Sequence, residues 1–149
     1  MNKVDTDRIK PFIEKGMAQV IDYPYCEAFD AYLCAGYPWV GFSDRIDWEE
    51  VTKPYKRFSW REATVEETTA FLKTTCLGNF NEICIVYGAR QPGLVLKFHD
   101  ACENLEELVI FEWRTEFLVG VERDQYGLIK LNHECFVEID TVHWLTASS

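Results

Sequence analysis

A chain of 149 residues that is 48% hydrophobic, 15% aromatic and 27% charged can bury a real core without staples, and is not composed like a disordered protein. Fifteen Lys and Arg against twenty-five Asp and Glu leave a net charge of −10, which argues against a partner that is nucleic acid or an anionic membrane, since both need a basic surface. The polar start, Met1 to Asp7, lacks the apolar stretch of a secretory signal, and no run approaches the roughly 18 apolar residues of a membrane span, so a cytoplasmic protein is expected.

The first predicted element is a helix. Ile9, Phe12, Ile13, Met17, Val20 and Ile21 recur at three- and four-residue intervals behind the N-cap candidates Asp5, Thr6 and Asp7. Pro11 should lie close to its start, because proline is tolerated in a first turn and not inside a helix. A second helix is expected over about 25–35, with Cys26, Phe29, Leu33 and Cys34 on one face and Gly36 and Pro38 as the stop. Residues 37–62 then bring Trp39, Phe42, Trp48, Tyr55, Phe58 and Trp60 together with Pro54. Asp47 to Val51 can make one helical turn, and the rest reads as an ordered loop whose aromatics pack over the core. The same stretch is locally basic, through Arg45, Lys53, Lys56, Arg57 and Arg61. The clearest helix follows over 65–76: Thr64 and Glu67 form a capping box, Leu72 and Cys76 continue one face, and Gly78 is the expected C-terminal cap.

After residue 78 the period becomes strand-like. Strands are expected at about 83–87, 94–98, 109–114, 117–122, 128–131 and 135–139, with turns at 90–93 and 124–127. Residues 100–107 read as a polar connection or short helical turn, and 142–145 as an extension of the last strand. Short connections imply antiparallel pairing. The expected fold is α+β, with N-terminal helices packed on one face of an antiparallel five- or six-stranded meander sheet. It forms a single domain over 1–149, helical and aromatic-rich to about 78, strand-rich and acidic from about 79 to 145.

Six cysteines at 26, 34, 76, 84, 102 and 135 sit among apolar and aromatic residues with no Cys-x-x-Cys, so reduced, buried thiols are expected. His99 and Cys102, with His133 and Cys135, can be written as a mixed zinc set, but the spacing fits no standard site and no metal is expected. Cys135 beside His133 or His99 would be needed for thiolate chemistry, an equally weak signal. The doublets Glu49-Glu50, Glu66-Glu67 and Glu106-Glu107 cannot act as acid–base pairs, because adjacent residues do not face one another. There is no glycine-rich phosphate loop and no serine elbow, and no cofactor is expected.

The charge is unevenly placed. Residues 1–61 hold ten acidic and nine basic residues, a net of −1, whereas 62–149 hold fifteen and six, a net of −9. Glu103, Glu106, Glu107, Glu112, Glu116, Glu122 and Asp124 crowd into this part, with Trp113 among them as an apolar anchor, and these are the expected partner-binding residues. The pattern suggests a non-enzymatic acidic binding protein. Its type is that of the intracellular immunity or inhibitor proteins by which bacteria neutralise a basic toxin, for example a nuclease, by occluding its active site. The analogy is one of size, charge and absent catalytic motif. The alternative is a small-molecule-binding or enzymatic domain with a pocket between the aromatic segment 39–60 and the sheet, formed by Trp48, Arg57, Trp60, His99 and Cys135.

Overall fold

All strand pairings among the described residues are antiparallel, and they join seven strands into one sheet. The computed structural model describes residues 6–41, 45–109, 115–140 and 142–149. Its elements in chain order are α1 (Thr6–Glu14), β1 (Ala18–Ile21), α2 (Tyr23–Gly36), a 3-10 turn (Trp48–Glu50), β2 (Tyr55–Ser59), α3 (Val65–Thr74) and a second 3-10 turn (Cys76–Asn79). Then come β3 (Glu82–Val86), β4 (Gly93–Lys97), α4 (Phe98–Glu103), α5 (Leu105–Leu108), β5 (Thr115–Arg123), β6 (Ile129–Asp140) and β7 (Trp144–Ser148). The spatial order is β1-β4-β3-β5-β6-β7-β2. No described helix is long and apolar enough to cross a membrane.

The α+β class is as the sequence implies, but two features differ from the expected meander. The N-terminal part contributes both edge strands, β1 beside β4 and β2 beside β7. In addition β4 and β5 flank β3, so the chain crosses over the sheet through α4 and α5 between them. The apolar period that suggested helix as far as Ile21 is broken at Gly16, whose positive φ of 73° closes α1. There Met17 N donates to the Phe12 carbonyl at 2.9 Å and Gly16 N to Ile13 at 3.0 Å, the paired bonds that satisfy orphan carbonyls at a helix end. Pro11 lies inside α1 and not at its start. Of residues 142–145, expected to extend the preceding strand, Val142 and His143 lie in a reversal, in which His143 N donates to the Asp140 carbonyl at 3.1 Å, and Trp144 and Leu145 begin β7. The expected strand at 109–114 falls on residues that lie outside the described ones, apart from Val109.

Helices cover both faces of the sheet, not one. On the first face Ile83, Ile85, Leu94, Leu96, Leu118, Val137 and Ile139 pack against Ile9 of α1, Leu72 of α3, Leu77, and Ala101, Cys102, Leu105 and Leu108 of α4 and α5. On the second, Cys84, Val86, Val95, Phe117, Val119 and Phe136 pack against Cys26, Phe29 and Leu33 of α2 and against Ile46 and Trp48. Phe29 meets the Phe117 and Phe136 rings edge-on at 5.5 and 5.7 Å. Burying such a side chain contributes about 1.5–3 kcal/mol. A strand buried on both faces carries apolar residues at successive positions, and β3 (Glu-Ile-Cys-Ile-Val) and β4 (Gly-Leu-Val-Leu-Lys) do so.

α3 begins as its sequence dictates: Glu67 N donates to Thr64 Oγ1 at 3.1 Å, and Thr64 N to Glu67 Oε1 at 3.0 Å. Gly78 is not a left-handed cap. It sits in the second 3-10 turn, at a point where a Cβ would run into the Lys73 carbonyl. That turn also carries Cys76, bonded to Cys135 of β6 with the two Cα atoms 5.7 Å apart. The expectation of six reduced thiols is therefore wrong for this pair, while Cys26, Cys84 and Cys102 are free and buried and Cys34 is free and exposed.

Candidate functional site

Glu138 is a buried carboxyl, 4% exposed, and the sheet register places it. Glu138 of β6 pairs with Thr146 of β7, which pairs with Arg57 of the edge strand β2, giving a row of three side chains across three strands. Arg57 Nε donates to Thr146 Oγ1 at 3.1 Å, and its guanidinium lies 5.4 Å from the Tyr55 ring centre and 5.8 Å from that of Trp144. A segment leaving α2 closes over this row. It is held by an isolated bridge between Trp39 and Ile46 and by Asp47 N donating to the Pro38 carbonyl at 2.9 Å. Ile46 N then donates to Glu138 Oε2 at 2.8 Å, and Trp48 Nε1 to Glu138 Oε1 at 3.0 Å.

The result is a cleft of about 440 Å³ lined by Arg45, Trp48, Arg57, Glu138, Asp140 and Trp144 among others. Arg45 Nη1 reaches Asp140 Oδ2 at 3.4 Å across it. Burial is the main force on the Glu138 carboxyl and pushes it up to about 7, against the two N–H donors and Arg57, which favour the anion. A carboxyl that gains or loses its proton near neutrality, beside an arginine and two indoles, can accept a hydrogen bond or exchange a proton with a small polar ligand.

The expected pocket between the aromatic segment and the sheet corresponds to this cleft, and Trp48 and Arg57 line it. The other three residues named for it lie elsewhere. Trp60 packs on the opposite face, its Nε1 donating to the Asp140 carbonyl at 3.0 Å. His99 is exposed on α4 and pairs with Glu103 at 2.9 Å. Cys135 is bonded to Cys76. The last fact also removes Cys135 as a free nucleophile, and with it the zinc set of His99, Cys102, His133 and Cys135. Cys102 is buried on the first face with its thiol pushed up to about 11, chiefly by burial. His133 rests against Phe29 and Tyr32 of α2 on the second face, 5.8 and 5.4 Å between ring centres. Burial and Lys130 lower its pKa. No group of three or more metal-ligating side chains occurs among the described residues.

The eight expected partner-binding residues divide. Glu103, Glu106 and Glu107 are exposed along α4 and α5, whose Ala101, Cys102, Leu105 and Leu108 are buried beneath them. Glu122 and Asp124 are exposed near the β5–β6 turn and have work within the chain. Glu122 Oε1 accepts from Asn132 at 3.2 Å, and Asp124 Oδ1 accepts from the backbone N–H groups of Tyr126 and Leu128 at 2.8 and 2.9 Å. Glu116 is fully buried and so is not on a binding face. It alternates with Leu118 toward the first face, where its charge, after burial itself, holds the Tyr87 phenol in its protonated form. The error has a physical source: on a sheet covered on both sides, alternation does not lead to solvent. Glu112 and Trp113 lie outside the described residues. Glu138 itself gave no such signal, because in Phe-Val-Glu-Ile-Asp it reads as an outward strand position.

No protein-family model matches the chain, and neither the curated proteins nor the solved structures compared with it include a match.

Proposed function

We propose that the protein is a non-enzymatic acidic binding protein that covers a basic surface on another protein, as an inhibitor or immunity protein covers the cationic active site of a toxin. The observation that carries this reading is the outer surface of α4 and α5. Four apolar side chains anchor these helices to the core and turn Glu103, Glu106 and Glu107 outward, and residues 98–109 contain neither Lys nor Arg. Like charges arranged this way raise encounter rates with a basic partner and select against acidic ones. The test begins with capture of partners from a native lysate, identification by mass spectrometry, and measurement of affinity with the purified partner. The triple variant Glu103→Lys, Glu106→Lys, Glu107→Lys should keep its circular dichroism spectrum and bind at least about tenfold more weakly, with a shallower salt dependence. An acidic partner, or binding indifferent to the triple variant, sinks the proposal.

A second reading, a small polar ligand in the cleft, is supported by Glu138, which is buried at its base with both oxygens engaged. Ligand screening against wild type and Glu138→Gln, with a hit lost in the variant, would favour it over the first.

A further inference from the structure

The ladder between β5 and β6 is interrupted at one point. Val119 pairs with Phe136 and Gly120 with Asn132, so His133, Glu134 and Cys135 have no partner on β5, and β7 pairs with β6 only from Val137 onward. An interruption of this kind gives up ladder hydrogen bonds and re-aims side chains. Other contacts hold the segment in place. Glu134 N donates to Asn132 Oδ1 at 3.1 Å. On the first face the second 3-10 turn lies against it, through the Cys76–Cys135 bond and through Phe80, whose ring is so close to Gly120 that a Cβ there would meet it at 2.9 Å. On the second face His133 rests on the Phe29 and Tyr32 rings of α2.

The same segment is one wall of a cleft of about 600 Å³ between α2 and β6, with Tyr25, Ala28 and Tyr32 on one side and Asn132, His133 and Glu134 on the other. Cys135, the next residue, carries the covalent tie on the opposite face of the sheet. Of the two bonded cysteines Cys135 is buried and Cys76 is part-exposed, so a reductant meets Cys76 first. A dithiol opens the bond by exchange. Its thiolate attacks Cys76 Sγ, the S–S bond breaks, and Cys135 leaves as a thiolate that takes up a proton. The reductant's second thiolate then displaces the Cys76 thiolate, which is protonated in turn, and the dithiol ends as its own disulfide. Two electrons and two protons have passed to the chain. Residues 133–135 then keep their packing and the Asn132 bond, with neither ladder nor tie. We propose that the Cys76–Cys135 bond is a redox-sensitive clasp on this cleft: oxidised, it holds His133 against α2, and reduced, it releases that wall while the rest of the sheet stays formed. The clasp is independent of the acidic helices and of Glu138, which lies where β6 is again paired with β5.

The test compares NMR spectra of the labelled full chain before and after dithiothreitol at one fixed pH, with alkylation and mass spectrometry to count free thiols. The His133 ring resonance is assigned by its absence in His133→Gln, and the Trp48 indole, which donates to Glu138, serves as the internal control. In the oxidised chain the Phe29 and Tyr32 rings should displace the His133 signal from that of the exposed His99. Reduction should remove at least about half of that displacement and leave the Trp48 indole where it was, and re-oxidation should restore it. Cys76→Ala, and separately Cys76→Ala/Cys135→Ala, should show the reduced His133 signal with or without dithiothreitol. An unmoved His133 signal in the reduced chain, or a Trp48 signal that moves with it, would overturn the clasp. Loss of amide dispersion throughout the reduced chain would make the bond a plain staple and overturn it too. So would two alkylatable thiols at Cys76 and Cys135 in protein never exposed to reductant.

Discussion

Glu138→Gln separates the charge of the buried carboxyl from its hydrogen bonds, because the two effects depend differently on pH. In the folded chain the carboxyl titrates at about 7, against an ordinary value of 4.5. Below the ordinary value it is protonated in both states and costs nothing. As pH rises, the unfolded carboxyl ionises first, so the unfolded state gains and folding stability falls until the folded group also ionises. Between about pH 5 and 8 that loss amounts to about 2.5 kcal/mol. The amide introduced by Glu138→Gln cannot ionise, so the variant lacks this slope. It has its own cost: Ile46 N and Trp48 Nε1 both need an acceptor, and an amide offers one oxygen. Leaving a buried donor facing an NH₂ group costs about 1–3 kcal/mol at every pH. Urea unfolding followed by tryptophan fluorescence should thus find the variant weaker at about pH 5, with the deficit shrinking by about 2.5 kcal/mol by about pH 8, closing or reversing. His133, which burial and Lys130 shift the other way, titrates in both proteins and cancels in the difference. A gap between wild type and variant that stays constant across this pH range would refute the reasoning.

The Cys76–Cys135 bond spans 59 residues of sequence. Chain-entropy arguments put its contribution at about 4 kcal/mol, so Cys76→Ala/Cys135→Ala, or wild type under reductant, should lose that much in urea unfolding. Wild-type stability indifferent to reductant would count against the bond. Gly78→Ala should destabilise by about 1–3 kcal/mol, because the new methyl meets backbone at Lys73 and not a side chain that can swing aside. An unchanged urea midpoint would show that the turn relaxes freely.

What could be read from the sequence was local. The capping box at Thr64 and Glu67 marks the start of α3 because both partners lie within one turn. The turn at Asp124 to Gly127 is legible for the same reason, and Gly127 there takes a positive φ of 81°. Strand β2 reads as loop because its stability comes from pairing with β7, a neighbour that nothing in Tyr55–Ser59 announces. The second buried face was present in the sequence as Cys84, Val86 and Val95 standing between the residues of the first, and a simple in-out reading of alternation passes over it. The cleft was legible as a general place, through Trp48 and Arg57. Its central acid was not, since Glu138 is buried by a backbone group and an indole that lie 92 and 90 residues earlier in the chain. The strands expected at 128–131 and 135–139 are one strand, β6, interrupted by an irregularity in its pairing with β5. Val119 pairs with Phe136 but Gly120 with Asn132, which sends His133 and Cys135 to opposite faces.

The placement of the two edge strands bears on how the chain is made. As the polypeptide leaves the ribosome, β1 emerges long before β4, and β2 has no sheet neighbour until β7 follows, with Arg57 and Thr146 separated by 89 residues. The first part of the chain can form α1, α2 and α3 locally, but its two strands must wait with their backbone groups open to other pairings. Closing each edge is then a late step, and synthesis that stalls within β6 would release chains with β2 unpaired and the cleft without Thr146 or Trp144.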